Sequence, residues 1–269
     1  MSDSIVTTDV NNHYATDKLV ENFDRILQSS GFENGRLEPH TLAPFDQFHV
    51  GGEAATLALA ELAGVNASSR ILDVGGGYGG PARTLAATYG CSVVVLDLTE
   101  AYCRLGEKLT ERCGLSERVS FQQGDALAMD FPDASFDLVL TQHSSMNIPH
   151  KRQLYAEIFR VLQPGGRLAL YEIFAGSQAP IHYPVPWARD ASISFLAAPD
   201  EIQTLLADIG YQTVAWQDVT EPVVAAQRAA PLPQLHLVLG DDFIERGRNM
   251  MRNLIEHRTA LVRAVLERP

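Results

Sequence analysis

Cysteine is scarce in this chain: Cys91, Cys103 and Cys113 are its 3 cysteines, with no C-x-x-C pair among them. An odd set without close spacing excludes a disulfide framework and reads as free thiols of a reducing compartment. The close Cys/His pairs that hold zinc are missing as well, so no metal is expected. Positive charge is in deficit. Lys+Arg is 21 against 33 for Asp+Glu, a formal net charge of −12. Such a chain is a poor partner for a phosphate backbone, and no basic run offsets the deficit, so nucleic acid is not an expected partner. Long apolar runs are also missing. No stretch approaches the roughly 20 residues of a membrane-spanning helix. The opening MSDSIVTTDVNNHY has neither the basic start nor the apolar centre of a signal peptide. The expectation is a cytoplasmic protein with no membrane partner.

What remains is ordinary for a globular chain: 269 residues, 46% hydrophobic and 20% charged. That suffices for one large domain or two small ones, without disulfide or metal support. Leu19, Phe23, Ile26 and Leu27 recur at helical spacing. A Pro-, Gly- and His-rich stretch follows to about residue 52, and its APFDQFHVGG segment reads as an apolar-aromatic loop. Residues 53–62 read as a helix with Ala55, Leu59 and Leu62 on one face.

From residue 70 the pattern changes. Strand-like runs at 71–74, 92–96, 119–122, 136–141 and 167–173 alternate with amphipathic helices. The run SVVVL is continuous and β-branched, as in a strand buried on both faces. Such alternation implies a parallel sheet with helices on both sides. The helix bearing Leu154, Ile158 and Val161 is expected to end at Pro164-Gly165-Gly166. Prolines make IHYPVPWARD a loop, Pro199-Asp200-Glu201 opens a helix, and 211–216 reads as a strand. Residues 221–233 look like a connector, and 241–257 a helix. TALVRAVLE at 259–267 fits either a final strand or a continuation of that helix.

The segment with chemical content is Ile71-Leu-Asp-Val-Gly-Gly-Gly-Tyr-Gly-Gly80. Glycine there permits a tight turn and close backbone approach to a ligand. The helix opened by Pro81 turns its free N–H groups toward the same place. A glycine-rich turn alone also fits a dinucleotide site. Asp73, inside D-x-G-x-G, argues otherwise, since a carboxylate there repels phosphate and suits an ammonium group. Asp97 ends the second strand about 20 residues on, where an acid can take ribose hydroxyls. Gly124-Asp125-Ala126 follows the third strand, an acid for an exocyclic amine beside a small residue that admits a ring.

Together these elements resemble the class I S-adenosylmethionine-dependent methyltransferases. ILDVGGGYGG, LDL, GDA, FDLV and RVLQPGGRLAL meet that family's pattern in order. The resemblance implies an α/β fold: a Rossmann-like, seven-stranded, mostly parallel sheet with helices on both faces. It places an N-terminal helical cap over residues 1–66 and the methyltransferase domain over 67–269. Within the domain it expects a lid and substrate segment at about 176–198 and a helical insertion at about 220–257. It also favours a strand for 259–267. QFHVGG, QHSSMNIPHK and YPVPWA resemble the small-molecule branch, in particular the sarcosine/dimethylglycine N-methyltransferases and their ubiquinone-type relatives.

The resemblance implies roles for individual residues. Gly75 and Gly77 approach the methionyl part of S-adenosylmethionine, and Asp73 lies near its amino group. Asp97 takes the ribose and Leu98 flanks the adenine, whose edge Asp125 and Ala126 hold. Gln142 and His143 stand at the sheet edge near the transfer site. Phe45, Phe48 and His49 pack over the cofactor, although Phe45 also fits a plain core role. Met146, Asn147, Tyr171, Tyr183 and Trp187 are the expected substrate lining, with Trp187 also readable as a core anchor.

The expected partner is a small-molecule acceptor, most simply an amine nitrogen, which needs no base in an in-line displacement. Oxygen or carbon methylation in secondary metabolism is the alternative, with His143 as general base. The oligomeric state stays open between monomer and homodimer. Two other classes are weighed. A nicotinamide oxidoreductase would carry apolar residues before its glycines, and a non-catalytic cofactor-binding module would show a degraded acceptor segment. Asp73 and QHSSMN speak against them.

Overall fold

The computed structural model describes residues 19–29, 32, 35–227 and 234–269. Seven strands form one sheet in the order β3-β2-β1-β4-β5-β7-β6. They are β1 (Arg70–Val74), β2 (Ser92–Asp97), β3 (Val119–Gln123), β4 (Phe136–Gln142), β5 (Leu162–Ala175), β6 (Gln212–Asp218) and β7 (Thr259–Glu267). The first five pair in parallel, and β7 runs antiparallel between β5 and β6. The ambiguous segment at 259–267 is therefore a strand. Its inward residues Leu261, Ala264 and Val265 are fully buried, so sheet burial decides against helix continuation.

Strand alternation sorts the core onto two faces. Ile71, Val93, Val95, Ala169, Tyr171 and Ile173 pack on one face. Leu72, Val74, Leu168, Leu170 and Phe174 pack on the other. The helices cover both. They include α3 (Gly52–Ala63), α4 (Gly80–Tyr89), α5 (Glu100–Arg112), α6 (Lys151–Val161) and α7 (Pro199–Ile209). At the start of α7 the Glu201 carboxylate accepts the Ala198 N–H at 3.1 Å, satisfying one of the helix's free donors.

Before the sheet lie α1 (Leu19–Ser29) and α2 (Pro39–Asp46). The second occupies part of APFDQFHVGG, which the sequence reads as loop. Pro39 takes a first-turn position, where a missing N–H costs nothing, and Leu42 and Asp46 are buried against the rest. Phe23, Leu27 and Leu42 form a third cluster with Tyr78, Tyr102 and Leu105, so the cap closes over α5 and the glycine turn. Between β6 and β7 come α8 (Thr220–Gln227), α9 (His236–Leu239) and α10 (Asp242–Ile255). The expected connector at 221–233 is thus helical as far as Gln227, with Pro222 in the tolerant first turn, and residues 228–233 lie outside the described residues.

A further correction concerns Pro164-Gly165-Gly166. Helix α6 ends earlier, at Val161, because Leu162 already has extended backbone (φ −71°, ψ 139°). The three residues belong to β5, where Gly165 adopts φ 77°. There Gly165 N–H donates to Arg268 O at 2.6 Å and Arg268 N–H to Gly166 O at 2.8 Å. The Arg268 guanidinium meanwhile donates to the closing carbonyls of α6, Phe159 O at 2.7 Å and Arg160 O at 3.1 Å.

Candidate active site

The site follows from register. Val74 pairs with Leu96, and the next N–H, that of Gly75, donates to Leu96 O at 2.7 Å. The chain then turns with Gly75 at φ 71° and Gly77 at φ 58°, backbone that side chains rarely adopt. Space is as restrictive as conformation. A Cβ at Gly75 would meet Ser144 Cβ at 2.5 Å, and one at Gly77 would meet the Phe48 ring at 3.1 Å. The Asp97 carboxylate fixes the turn from β2. It accepts Gly77 N–H at 2.9 Å and Thr99 N–H at 2.8 Å. Burial raises its pKa despite those bonds.

These glycines open onto a cavity of about 440 Å³, within the range of small-ligand pockets. It sits beyond the carboxyl ends of β1 to β4, where the strand order reverses, the usual binding place of open α/β sheets. Gly75, Gly77, Asp97, Leu98, Asp125 and Ala126 line it from β1, β2 and β3. Gln142, His143, Met146 and Asn147 line it from the turn after β4. Phe48 and Tyr102 add aromatic faces, their ring centroids 6.0 Å apart. Trp187 closes the wall from the segment after β5.

The turn after β4 is braced from below. Glu172 on β5 is fully buried and faces α6. Its carboxylate accepts Ser144 N–H at 3.2 Å, Ser145 N–H at 3.2 Å and the Ser145 hydroxyl at 2.9 Å. Burial raises the Glu172 pKa, opposed by those donors. Lys151 holds the same turn by donating to Ser145 O and Ile148 O, and burial pulls its amine down to about 8. The Asn147 amide donates to Trp187 O and Ile193 O, each at 2.8 Å, which joins this turn to the segment after β5.

His143 has φ 52°. Its Nδ1 lies 2.9 Å from Tyr171 O, and Val50 N–H donates to its Nε2 at 3.4 Å. With Nδ1 as the donor, both ring nitrogens have backbone partners. Burial lowers its pKa to about 4, so the ring is neutral near pH 7.

Residues 72–170 match a family model described as "Methyltransferase domain". The matched segment is a class I S-adenosylmethionine-dependent methyltransferase domain. Beyond it, the chain is 40% identical over 134 residues to a sterol 24-C-methyltransferase of Eremothecium gossypii, covering 48% of this chain and 36% of that protein. It is 28% identical over 178 residues to a glycine/sarcosine/dimethylglycine N-methyltransferase of Actinopolyspora halophila, covering 66% of this chain and 32% of that one. The chain thus spans about a third of the length of these curated relatives. Among solved structures, the geranyl diphosphate C-methyltransferase of Streptomyces coelicolor A3(2) superposes with a TM-score of 0.70 at 16% identity, covering 98% of each chain. At that identity the likeness is one of fold.

Several of the site residues expected from sequence lie off the cavity wall. Asp73 is buried under the turn, where a Cβ on Gly76 would meet its Oδ2 at 2.5 Å. Burial, reinforced by the Asp97 charge, raises Asp73 to about 7, and its Oδ2 has no hydrogen-bond partner among the described residues. His49 lies behind the wall, 3.0 Å from the Thr56 hydroxyl and 3.0 Å from Gly52 O, and burial with the His143 charge pushes it down to about 3. Tyr171 packs beneath His143, rings 5.0 Å apart. Phe45 joins the cap cluster and Tyr183 packs against the core.

Sequence reading also missed wall residues. Leu239, Phe243, Arg246 and Met250 reach the cavity from the insertion, and Arg189 from the segment after β5. Helical spacing in α10 was visible, but nothing in the sequence says which face of an inserted helix covers the sheet edge.

Proposed function

We propose that this chain transfers a methyl group from S-adenosylmethionine to a small-molecule acceptor, with an amine nitrogen as the accepting atom. The observation that carries the reading is one cavity shared by the glycine turn, Asp97, Asp125 and the turn after β4. When bound, the cofactor supplies a methyl group already activated on sulfonium. The residues fit it. Gly75 and Gly77 leave a cradle that side chains would fill. Asp97 keeps free lone pairs for ribose hydroxyls after accepting two N–H bonds. Asp125 stands beside Ala126, an acceptor for the adenine amine next to room for its ring. Phe48 and Tyr102 offer aromatic faces to a cation, worth about 0.5–2 kcal/mol. The chain's further work is to align acceptor and methyl and to exclude water.

The state of His143 supports nitrogen. A ring engaged by Tyr171 O and Val50 N–H, with its pKa drawn down to about 4, is a weak base. A neutral amine needs none. Carbon or oxygen transfer with His143 as base is the second reading, favoured by the 40% identity to a sterol 24-C-methyltransferase. It requires Nε2 to leave the Val50 N–H.

The test is transfer of labelled methyl to a panel of glycine, sarcosine, dimethylglycine, larger amines, phenols, keto acids and alkenes. Amine turnover that falls less than tenfold in His143→Gln supports the first reading. Turnover of phenol or carbon acceptors alone, lost by a factor of about 10²–10⁴ in that variant, supports the second. Failure to bind the cofactor would overturn both.

A further inference from the structure

The turn after β4 carries a charge that helix energetics alone would not place there. Lys151 opens α6, directly after His150. A cation at that end faces the positive pole of the helix dipole, where an acid is the favourable choice. The side chain is also half-buried, so it gives up hydration. Breaking two local rules at one position marks a residue with another role. The compensation lies just before the helix. The Lys151 ammonium donates to Ser145 O and to Ile148 O, the latter at 2.6 Å.

Glu172 grips the same short turn from its other end, accepting Ser144 N–H, Ser145 N–H and the Ser145 hydroxyl. Peptide N–H groups of the turn thus point at an anion and its carbonyls at a cation. From this fixed point the turn reaches the segment after β5 at three places. Met146 O accepts Phe195 N–H at 2.8 Å. The Asn147 amide donates to Trp187 O and to Ile193 O. The Trp187 indole N–H then donates to the Ser194 hydroxyl at 2.9 Å. Met146, Asn147 and Trp187 all line the cavity. They stand on the β4–β5 side of β1, whereas Asp97 and Asp125 follow β2 and β3 on the other side.

Resting on the methyl-transfer reading above, we propose that Lys151 is a positioning residue for the acceptor: its ammonium fixes the turn after β4 and, through Asn147, joins it to the Trp187 segment as one wall. Lys151 is not itself on the cavity wall, so it acts through the turn. The order of that wall then depends on pH. Burial pulls the amine down to about 8, against the Glu172 charge. About a tenth of the molecules have lost this proton at pH 7, and about nine tenths at pH 9. The neutral amine still donates, but a bond without charge is roughly half as strong. Glu172 is then left buried opposite a neutral group. Other titratable groups surround the turn. Burial pushes the phenol of Tyr155, one turn along α6, far up and draws His143 down to about 4. From α7, Asp208 pairs with Arg152 at the surface. Asp73 on β1 sits at about 7, so the test reads differences between variants that all retain it.

The test is acrylamide quenching of Trp187 in the full-length protein saturated with S-adenosylhomocysteine. Trp216, the other of the 2 tryptophans, is replaced by Phe in every sample, including the parent. Trp187 is 1% exposed, so quenching at pH 7 should be slight. From pH 7 to pH 9 the parent's quenching constant should rise at least twofold. Lys151→Arg keeps its charge throughout and should stay flat. Lys151→Met should start at the high value and remain there. Hydrogen exchange of residues 144–148 and 187–195, corrected for the intrinsic rate at each pH, should rank the three proteins alike. A parent whose quenching ignores pH, an Arg variant that follows the parent, or a Met variant as protected as the parent at pH 7 overturns the proposal. The pH series of the parent and Lys151→Arg decides it even where Lys151→Met does not fold. Affinity for S-adenosylhomocysteine at pH 7, measured first by calorimetry, separates the two levels. No affinity in the parent refutes methyl transfer. A parent that binds, with affinity lost in both Lys151 variants, assigns Lys151 to the fold of the whole cavity and overturns only the positioning role.

Discussion

Removing the Asp46 carboxylate should destabilise the whole cap. Arg83 Nη2 lies 2.8 Å from Asp46 Oδ2, with the two side chains 0% and 2% exposed. The guanidinium also donates to Tyr78 O at 2.7 Å and to the Thr110 hydroxyl at 3.1 Å, and so joins α2, the glycine turn and α5. The pair is imperfectly satisfied. Asp46 Oδ1 and Arg83 Nε are buried without partners among the described residues, and burial raises the Asp46 pKa more than Arg83 lowers it. Asp46→Ala strands a fully buried cation, a loss of about 3–5 kcal/mol. For a chain of this length that lowers Tm by roughly 6–20 °C. Replacing both partners with apolar residues of similar volume removes the stranded charge. Asp46→Leu/Arg83→Met should therefore recover most of the loss, because well-packed apolar side chains leave no buried charge unpaired. Urea and thermal unfolding of the wild type, the three single variants and the double variant measure the coupling. A single variant within about 1 kcal/mol of wild type, or a double variant no better than the sum of its singles, would refute the reasoning.

Three other outcomes are expected. Gly77→Ala forces φ 58° on a side chain whose Cβ meets the Phe48 ring at 3.1 Å, so calorimetry should show S-adenosylmethionine binding weakened at least tenfold. His49, at about 3 in the folded chain against an ordinary 6.5, takes up its proton in the unfolded state first. Stability relative to His49→Gln should therefore be full above pH 6.5 and fall, by up to about 1.4 kcal/mol per pH unit, as pH drops toward 4. Unfolding midpoints across that range measure the slope. Glu172→Ala strands the Ser144 and Ser145 donors, at about 1–3 kcal/mol each. Its looser turn should raise KM for the acceptor more than it weakens cofactor binding measured by calorimetry.

Much of this protein is local in origin and legible in its sequence. Continuous β-branched runs such as SVVVL can only be sheet interior, and glycines placed directly after β1 can only be a turn that side chains would block. Asp97 closes β2 and Asp125 stands two residues past β3, so knowing the strands was enough to put them at the sheet edge. Other features depended on contacts between distant segments. TALVRAVLE carries both periods, and only the open edges of β5 and β6 made it a strand. APFDQFHVGG contains an internal proline, yet Asp46 reaching Arg83 and Leu42 entering the cap core hold its opening residues, as far as Asp46, as helix. Asp73 and His49 carry the chemistry of site residues, but pleat direction and packing turn them behind the wall. Arg189 and Arg246 are 57 positions apart and carry no shared motif. The stitching of α10 to the segment after β5 by Asn249 and Asn253 is what brings them to one cavity, because side chains so far apart in sequence meet only when tertiary hydrogen bonds dock their elements together.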